Sequence, residues 1–586
     1  MRQWMVAAKK ADFYVIAEKF HVDPVVARII RNREVIGEKN IRIYLGGNLS
    51  DLSDPHQMKD MDRLVEILAQ KIRKQVHIRI IGDYDVDGVT SSHLFLTALR
   101  RVGAKVDVVI PHRIQDGYGL SLHLLQQAKE DGVDTILTCD NGIAAIDEIA
   151  WAKAQKMTVL VTDHHAVPFE EHEGRRTEKK SLADAVVNPH QQDCGYPYKE
   201  LCGAGVAWNV IRVLYENYDM DKREAEDLLD FVAMATVCDV MSLTGENRIL
   251  VKEGLKRIRH TKNIGLQALM QACNVQPENI SAYHFGYVLG PCVNATGRLD
   301  TARHALRLFE TGQETEAEEI ARDLVDLNQE RKELTLQGVE MAKKLCEEGG
   351  YENDPVLVLF LPDVHESIAG LIAGRIREMY NRPVFVLTRG EEGVKGSGRS
   401  TENYSMYENM CGCAELFTKF GGHPMAAGLS LPEENVEKFR RKINENCPLT
   451  VEEVCPDIHI DMAMPVGYAS TELVHQFALL EPFGKDNPSP LFADRNLFIS
   501  RMWLIGKNRN VLRMSVLSEY GQPVPVIFFG DVETLFAYFT EKFGQEEVEN
   551  ALHGRKNRIL FSMVYTAKID FYQGNENLQL EMKYYR

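Results

Sequence analysis

The sequence lacks the features that mark several protein classes. It contains no apolar run near the about 20 residues that cross a bilayer, so it predicts no membrane span. Its first residues, MRQWMVAAKKADF, hold no apolar signal core, and we expect a cytoplasmic protein. The 11 cysteines are odd in number and form no C-x-x-C pair, which indicates reduced thiols and argues against structural zinc.

Positive charge is also scarce. Lys and Arg number 68 against 85 Asp and Glu, which gives a net charge of −17. The overall field of such a chain repels nucleic acid, so DNA binding would need local basic grooves or metal ions. What is present is ordinary for a globular protein, with 45% hydrophobic and 26% charged residues. The 586 residues predict roughly four domains or subdomains of about 150 residues.

The order of apolar and polar segments predicts an α/β protein. In residues 73–312, strand-like runs such as VHIRII and MTVLV alternate with amphipathic helical patterns, which is typical of a parallel sheet. A charged helical pattern over 313–350 predicts a connector helix, and 351–450 form a second α/β unit. Five β-like runs in 451–586 predict a small barrel of the oligonucleotide-binding type, and 1–72 is helical and mixed in character.

Acidic residues follow two of the predicted strands. The segment GDYDVDG places Asp83, Asp85 and Asp87 at alternate positions, and TCDNG places Asp140 at another strand end. Such strand ends meet at one edge of an open α/β sheet, where sites form. Clustered carboxylates repel one another unless a divalent cation supplies countercharge. The alternative is a solvated acidic turn, which the helix beginning directly after Gly88 disfavours.

Two further segments add candidate ligands. TDHHA places Asp163, His164 and His165 after a strand, and Asp239 lies within an apolar helical run. Imidazole is a common metal ligand, and a buried carboxylate needs a partner. A surface histidine pair and a helix cap are the alternatives. Together the four segments predict an oxygen-rich site with some nitrogen ligation for two Mn²⁺ or Mg²⁺ ions, of the kind that hydrolyses phosphate esters.

These motifs also carry a resemblance. In order and spacing, GDYDVDG, TCDNG, TDHH and TVCDV resemble the four motifs of the DHH phosphoesterase superfamily. The segments PHRIQDGYGLS, GPCVNATGRLD, KGSGRS, GGHPMAAG and EPFGKDNPSPLF resemble its RecJ branch of single-strand-specific exonucleases. The resemblance runs from about residue 40 to the C-terminus. It implies a parallel-sheet DHH domain and a DHH-associated α/β domain across a cleft, joined by a long helix, and a C-terminal OB-fold β-barrel.

The resemblance implies an activity and its residues. The activity is metal-dependent, single-strand-specific 5′-to-3′ DNA exonucleolysis that releases mononucleotides in DNA repair and recombination, with two Mn²⁺ or Mg²⁺ ions. His165 would contact the scissile phosphate. The implied catalytic residues are Asp85, Asp87, Asp140, His164, His165 and Asp239. The implied metal ligands are Asp83, Asp85, Asp87, Asp140, His164 and Asp239.

Basic and aromatic residues beside glycines are the predicted substrate contacts. Arg298, in a predicted turn before a helix, and Ser397 and Arg399 in KGSGRS are predicted to hold the 5′-terminal phosphate or its neighbours. His423 in GGHPMAAG is predicted to face a substrate phosphate, and Tyr118 to stack on a base. For each residue the alternative is a surface ion pair, a cap or a packed loop side chain.

The sequence departs from the family pattern at one candidate contact, and two other functions are compatible with its motifs. Cys292 stands where the family usually has Arg, which removes one candidate phosphate contact. A DHH phosphodiesterase of short oligonucleotides or cyclic dinucleotides would share the acidic site without needing the barrel. A catalytically inactive scaffold would not need intact ligands. The resemblance implies single-stranded DNA as partner, a helicase and a single-strand-binding protein as candidate protein partners, and a monomer without membrane association.

Overall fold

The chain folds into two units. The computed structural model describes residues 3–113, 116, 119–172, 175–299, 301–390, 393–506, 509–572 and 574–586. The first unit comprises residues 48–456, and the second comprises 3–47 and 457–586. Within these described ranges, no helix combines the length and apolar composition needed to span a bilayer.

A five-stranded sheet organises the first half of the first unit. All its neighbouring strands pair in parallel, so their carboxyl ends lie at one edge, and the predicted parallel sheet is confirmed. A separate hairpin pairs Phe169–His172 with Arg175–Glu178. In spatial order, the strands of the sheet are Val106–Val109, Ile78–Ile81, Thr135–Cys139, Thr158–Thr162 and Ala185–Val187.

Both faces of this sheet are covered by helices. Leu137 and Leu160 pack into one hydrophobic core, whereas Ile136 and Val159 pack into another, because successive strand residues point to opposite faces. This two-sided burial explains why the strands are almost wholly apolar. The helices of this half are Met61–Arg73, Val86–Arg101, Leu122–Glu130, Ile146–Ala154, Gly203–Asn217, Arg223–Glu226, Leu229–Cys238, Gly245–Ile258, Ile264–Ala272, Ala282–His284, Gly290–Leu299 and Ala302–Glu310.

A single long helix joins the two halves of the first unit. Glu314–Glu348 contains 35 residues and is therefore about 52 Å long. Ile320 and Leu324 belong to the core of the parallel sheet, while Val339 and Ala342 belong to the core of the next sheet. The predicted connecting helix is confirmed, and its packing into both cores makes it a structural part of each half.

The second half of the first unit is built on a mixed sheet. Its strand Gly393–Arg399, which contains the first five residues of KGSGRS, lies in the middle and pairs antiparallel on both sides. The helices of this half are Glu366–Tyr380, Met406–Cys411 and Val436–Glu445. In spatial order, the strands are Lys419–His423, Ala426–Leu431, Gly393–Arg399, Val384–Gly390 and Leu357–Phe360.

The second unit contains the predicted β-barrel. Strand Phe492–Ile505 pairs with both Val511–Leu517 and Leu560–Tyr572, which closes the sheet on itself. The other strands are Met462–Ala463, Pro523–Phe528 and Asn575–Tyr585. The helices are Thr471–Phe477, Val532–Phe543 and Gln545–Leu552.

The N-terminal residues fold with this barrel. Strand Trp4–Val6 pairs in parallel with Ile458–Ile460. Arg33 forms a buried ion pair with Asp461 at 2.7 Å. The N-terminal helices, which share the barrel's hydrophobic core, are Phe13–Phe20, Pro24–Asn32 and Glu38–Gly46.

Candidate metal centre and active-site cleft

The loop after strand Ile78–Ile81 presents the first two carboxylates. Asp85 is the N-cap of the following helix and accepts a hydrogen bond from the N–H of Gly88 at 3.1 Å. Glycine is required at that position because a Cβ would lie 2.4 Å from the backbone oxygen of Asp83. The turn brings carboxylate oxygens of Asp83, Asp85 and Asp140 to within 4.8 Å of one another.

Asp87 is fixed by a second helix. Its two carboxylate oxygens accept hydrogen bonds from the backbone N–H groups of Gly203 and Ala204, at 2.6 and 2.7 Å. These donors lie at the N-terminus of helix Gly203–Asn217, where the helix dipole stabilises negative charge. A Cβ on Gly203 would lie 2.6 Å from the Cβ of Asp140, so glycine there lets Asp140 approach Asp87.

His164 lies among the carboxylates. Its Nε2 is 3.1 Å from Asp140 Oδ1, 3.6 Å from Asp239 Oδ2 and 3.7 Å from Asp87 Oδ2. Burial lowers the pKa of His164 below its ordinary value, which favours the neutral imidazole that binds metals. Among the described residues, Nε2 has no hydrogen-bond partner.

Two backbone positions at the cluster are strained. Asp140 follows strand Thr135–Cys139 with φ 60°, and Val240, directly after Asp239, has φ 55°. Left-handed conformations are costly for residues other than glycine and concentrate at functional sites. Asp239 lies just beyond the last residue of helix Leu229–Cys238, not inside a helical run as predicted, so its carboxylate sits where the chain turns.

The carboxylates are held together against their mutual repulsion. Burial and the charge of Asp85 raise the pKa of Asp83 well above its usual range, and burial and the charge of Asp87 do the same for Asp140. Oδ1 of Asp83 is buried without a hydrogen-bond partner in the described part of the chain. Several carboxylates and one neutral imidazole match the ligand preference of Mn²⁺ and Mg²⁺, so the donor set fits these ions.

His165 is oriented by a residue outside the predicted set. Its Nδ1 hydrogen-bonds Asp163 Oδ1 at 2.7 Å. Burial acts in the opposite direction, but this hydrogen bond raises the pKa of His165 to about 9. Buried Asp163 also accepts from the backbone N–H groups of His164 and Ile143, at 2.7 and 2.9 Å. Asp163 is therefore a positioning residue. Its position in the TDHH segment, directly before the two histidines, is the sequence feature that could have indicated this role.

A cavity of about 440 Å³ lies beside this cluster, within the first unit. Tyr84, next to Asp83, forms part of one wall, and strand Gly393–Arg399 of the mixed sheet forms part of the other. The cavity is thus the predicted cleft. Polar side chains of its lining include Tyr84, Arg113, Ser367, Lys395, Ser397 and Lys419.

Arginines converge on this cleft. Arg298 donates from Nη1 to the backbone oxygen of Ser367 at 2.6 Å, and Arg399 donates to Ser397 Oγ at 3.3 Å. Burial and the nearby charge of Arg113 lower the pKa of both Arg298, to about 10, and Arg399. Such crowding of cations is relieved by an anion, as a phosphate-binding site requires.

The helix Gly290–Leu299 contains two residues that the sequence analysis singled out, and it corrects the placement of one of them. Arg298 lies in its last turn, not in a turn before a helix, because Gly297 packs there against the backbone of the acidic loop and a helix is compatible with it. Cys292 is buried, with its sulfur 3.7 Å from that of Cys273. The Cys292 side chain contacts the protein core and is not among the described residues that line the cavity, and its effect on phosphate binding stays a prediction.

The remaining predicted contacts have different outcomes. Arg113, which was not predicted, lies 4.9 Å from the ring of Tyr84 and lines the cavity; its signal was the PHRIQDGYGLS segment. His423 lies at the exposed end of edge strand Lys419–His423 and is not among the described residues that line the cavity. Tyr118 lies outside the described residues.

Known proteins resemble the chain along its length. Residues 77–236 match the family described as "DHH family, N-terminal domain", 353–447 match "DHHA1 domain", and 460–584 match "RecJ OB domain". The single-stranded-DNA-specific exonuclease RecJ of Bacillus subtilis is 33% identical over 86% of this chain, which spans 63% of that relative. The protein of the same name from Haemophilus influenzae is 32% identical over 96% of both chains.

A solved structure gives the same result. RecJ from Thermus thermophilus, in complex with Mn²⁺, is 25% identical and superposes with a TM-score of 0.79, covering 100% of this chain and 79% of that one. The α/β fold with its two sheets, connecting helix and barrel is thus shared. With the acidic strand edge, the cleft lined by basic residues and the near-full-length identity together, the chain belongs to the RecJ family.

Proposed function

We propose that the protein is a metal-dependent, single-strand-specific 5′-to-3′ DNA exonuclease that releases mononucleotides and acts in DNA repair and recombination. The observation that carries this proposal is the cluster of carboxylates and His164 next to a cleft whose lining includes Arg113 and two lysines. The names of the relatives support it. The closed barrel supports a long strand over a dinucleotide as substrate, since OB-folds bind oligonucleotides.

We assign two sets of ligands to two divalent ions, Mn²⁺ or Mg²⁺. Within each set, ligand atoms lie within 4.8 Å of one another. Asp140 Oδ1 is also 3.1 Å from His164 Nε2, so the two sets adjoin. When bound, such ions supply an activated water and positive charge near the phosphate. One set is Asp83, Asp85 and Asp140, and the other is Asp87, His164 and Asp239.

Protein groups then orient and stabilise the substrate. With Nδ1 of His165 bonded to Asp163, we assign its Nε2–H to a non-bridging oxygen of the scissile phosphate, where it stabilises developing charge. Arg298, Ser397 and Arg399 hold the 5′-terminal phosphate. A role for His423 or Tyr118 in substrate binding stays a prediction.

Selectivity follows from the size and chemistry of the cleft. The cavity of about 440 Å³ is large enough for a nucleotide-sized group, and we propose that the cleft is too narrow for a duplex. Phosphate contacts carry no base information, so we expect weak sequence preference. We further propose that the protein is monomeric and cytoplasmic, where a helicase and a single-strand-binding protein are its candidate partners. Unpaired thiols of the described cysteines support a reducing compartment.

Two strands of the same sequence, one labelled at the 5′ end and one at the 3′ end, test this function. With Mn²⁺, the 5′ label should appear at once as mononucleotide while the 3′-labelled strand shortens gradually. Asp85→Ala should abolish both signals. Cleavage of dinucleotides or cyclic dinucleotides with long strands left intact would instead establish a short-substrate phosphodiesterase.

A further inference from the structure

We propose that Tyr283 and Tyr287 form a base-stacking platform for the DNA strand on the 3′ side of the scissile phosphate. Their rings stack with centroids 5.0 Å apart and planes 23° apart. The residues are nevertheless 62% and 70% exposed, so the outer ring faces are open to a ligand. The proposal rests on the exonuclease function proposed above, which supplies the direction of the strand.

The two tyrosines share one helical face with cleft residues. Segment 282–299 is helical throughout, with a π-helical stretch in its middle. Spacings of four, four, three and four residues keep side chains on one side of such a helix. The at least partly exposed residues at this spacing are Tyr283, Tyr287, Pro291, Asn294 and Arg298.

This face borders the metal cluster and the arginine cleft. Asn294 accepts a hydrogen bond from the backbone N–H of Val86 at 3.1 Å, directly after the proposed ligand Asp85. One turn further, Arg298 bonds the backbone of Ser367 at the cleft. The C-terminal half of the face therefore already lies along the path of the substrate.

The tyrosine end of the segment borders another proposed ligand. The thiol of Cys238, directly before Asp239, donates to the backbone oxygen of Phe285 at 3.3 Å. A Cβ on Gly290 would lie 2.3 Å from the same sulfur, which shows how closely the two helices approach. Tyr283 and Tyr287 each lie two residues from Phe285 in the same helical segment, so their backbone is close to the turn that carries Asp239.

The tyrosine pair and the proposed phosphate contact Arg298 thus lie one after the other along the axis of this helical segment. From Tyr287 to Arg298 there are 11 residues, or about 16 Å, and Asn294, which bonds the backbone next to the proposed ligand Asp85, lies between them. Stacked nucleotides advance about 3.4 Å along a strand, so this distance spans several nucleotides. With the 5′ phosphate at Arg298 and Arg399, the strand beyond the cleaved bond passes the tyrosine pair. Stacking suits a nuclease without base specificity because every base has a π-face.

An abasic scan of the substrate tests the platform. Single abasic sites replace successive nucleotides of a 12-residue, 5′-phosphorylated strand, and kcat/KM for the first cleavage is measured. In the wild-type protein, at least one downstream abasic site should lower kcat/KM about 5- to 100-fold, the effect expected for one lost stacked base. The double variant Tyr283→Ala/Tyr287→Ala should show a similar loss on the intact strand and no further loss at that site.

Controls separate stacking from a structural role. Tyr283→Phe/Tyr287→Phe keeps both rings and should retain the wild-type abasic profile. Tyr14→Ala removes a tyrosine that is 77% exposed in the second unit and should change nothing. A dinucleotide is too short to reach from Arg298 to Tyr287, so the alanine double variant should cleave it at the wild-type rate.

Each contrary result has a distinct meaning. A wild-type abasic profile in the alanine double variant, or an equal loss on the dinucleotide, would overturn the platform and leave the exonuclease assignment intact. In the first case the exposed pair would instead be a surface for a protein partner. If the wild-type protein fails to shorten any strand, the proposed function fails. Fluorescence anisotropy of the same abasic series then tests the platform alone, and loss of the position-dependent effect in the double variant supports it.

Discussion

The two walls of the cleft are built on opposite plans. The metal-centre wall takes its side chains from turns that follow parallel strands, so Asp85, Asp140 and His164 are distant in sequence and meet at one sheet edge. The opposite wall takes Ser397 and Arg399 from within a single central strand of a mixed sheet. One wall concentrates buried negative charge and the other buried positive charge. In the proposed function, a phosphate between the walls would bind the arginines directly and the carboxylates through a cation.

The largest expected effect is on the metal-centre wall. Asp140→Asn should lower kcat about 10³-fold, because charge stabilisation in the transition state is the main contribution of such sites. The same change removes one of several repelling buried carboxylates, so the melting temperature without metal should rise. The Mn²⁺-dependent rise in melting temperature should shrink, since the folded state binds the ion less tightly.

Exposed Asp147, on the same half of the first unit, supplies the matched control. Asp147→Asn should keep activity and the Mn²⁺-dependent stabilisation. If Asp140→Asn retained wild-type activity with Mn²⁺, the assignment of this residue as a ligand would be wrong.

The opposite wall should affect recognition of the strand end. Arg399→Ala should lower kcat/KM for a 5′-phosphorylated strand about 10- to 100-fold, the range of a lost hydrogen bond between charged groups. For a strand with a 5′ hydroxyl, kcat/KM should fall little, so the variant should no longer distinguish a 5′ phosphate from a 5′ hydroxyl. Single-turnover rates on both strands measure this difference.

Arg389→Ala is the control on the same sheet. Arg389 forms an exposed ion pair with Glu433, and such pairs contribute little. We expect wild-type preference for the 5′ phosphate in this variant. Equal losses on both strand ends in Arg399→Ala would place Arg399 elsewhere than at the terminal phosphate.

The contrast between the walls also explains what could be predicted from the sequence. Parallel topology brings every strand end to one edge, so apolar runs followed by Asp or His predict the ligand cluster without any contact information. Asp163 was named in its motif but given no role, because the residue type alone does not reveal that a carboxylate orients a neighbouring histidine. Arg298 was placed in a turn because the glycine before it is a turn signal, whereas here it permits close helix packing.

Long-range association was outside the reach of local patterns. The strand Trp4–Val6 pairs with Ile458–Ile460, more than 450 residues away, and no motif indicates this. The barrel itself was predictable, because closely spaced β runs with turns between them are a local signal. To predict that the N-terminal segment packs on the barrel, one would need to know which apolar face the barrel leaves uncovered.

A moderate effect should come from the positioning residue. Asp163→Asn should lower kcat about 10- to 100-fold with little change in KM, because partners that orient ligands and catalytic groups typically contribute this much. Steady-state kinetics on a labelled strand separate the two parameters. His165→Ala should show a loss at least as large, and the double variant should lose little more than His165→Ala alone. Additive losses would mean that Asp163 acts independently of His165.

The smallest expected effect separates burial from metal binding. Asp230 is buried on the same half as the metal centre, and burial raises its pKa from 3.8 to about 6. It accepts hydrogen bonds from Thr261 Oγ1 at 2.6 Å and from the N–H of Phe231 at 2.8 Å, and among the described residues it belongs to none of the candidate metal-binding groups. Asp230 thus serves as a reference carboxylate whose pKa is raised chiefly by burial.

The sign of its contribution to stability follows from linkage. Because the folded pKa of Asp230 lies above the unfolded value, the folded protein binds the extra proton more tightly between pH 4 and 6, and stability falls as the pH rises through this window. The free energy of unfolding should decrease there by about 1–3 kcal/mol relative to Asp230→Asn, as measured by urea unfolding at several pH values. Mn²⁺ should stabilise both proteins equally, since Asp230 lies outside the proposed ligand sets. A pH-independent difference would show that Asp230 keeps its ordinary pKa, and that burial alone does not explain the shifts at the metal-centre wall.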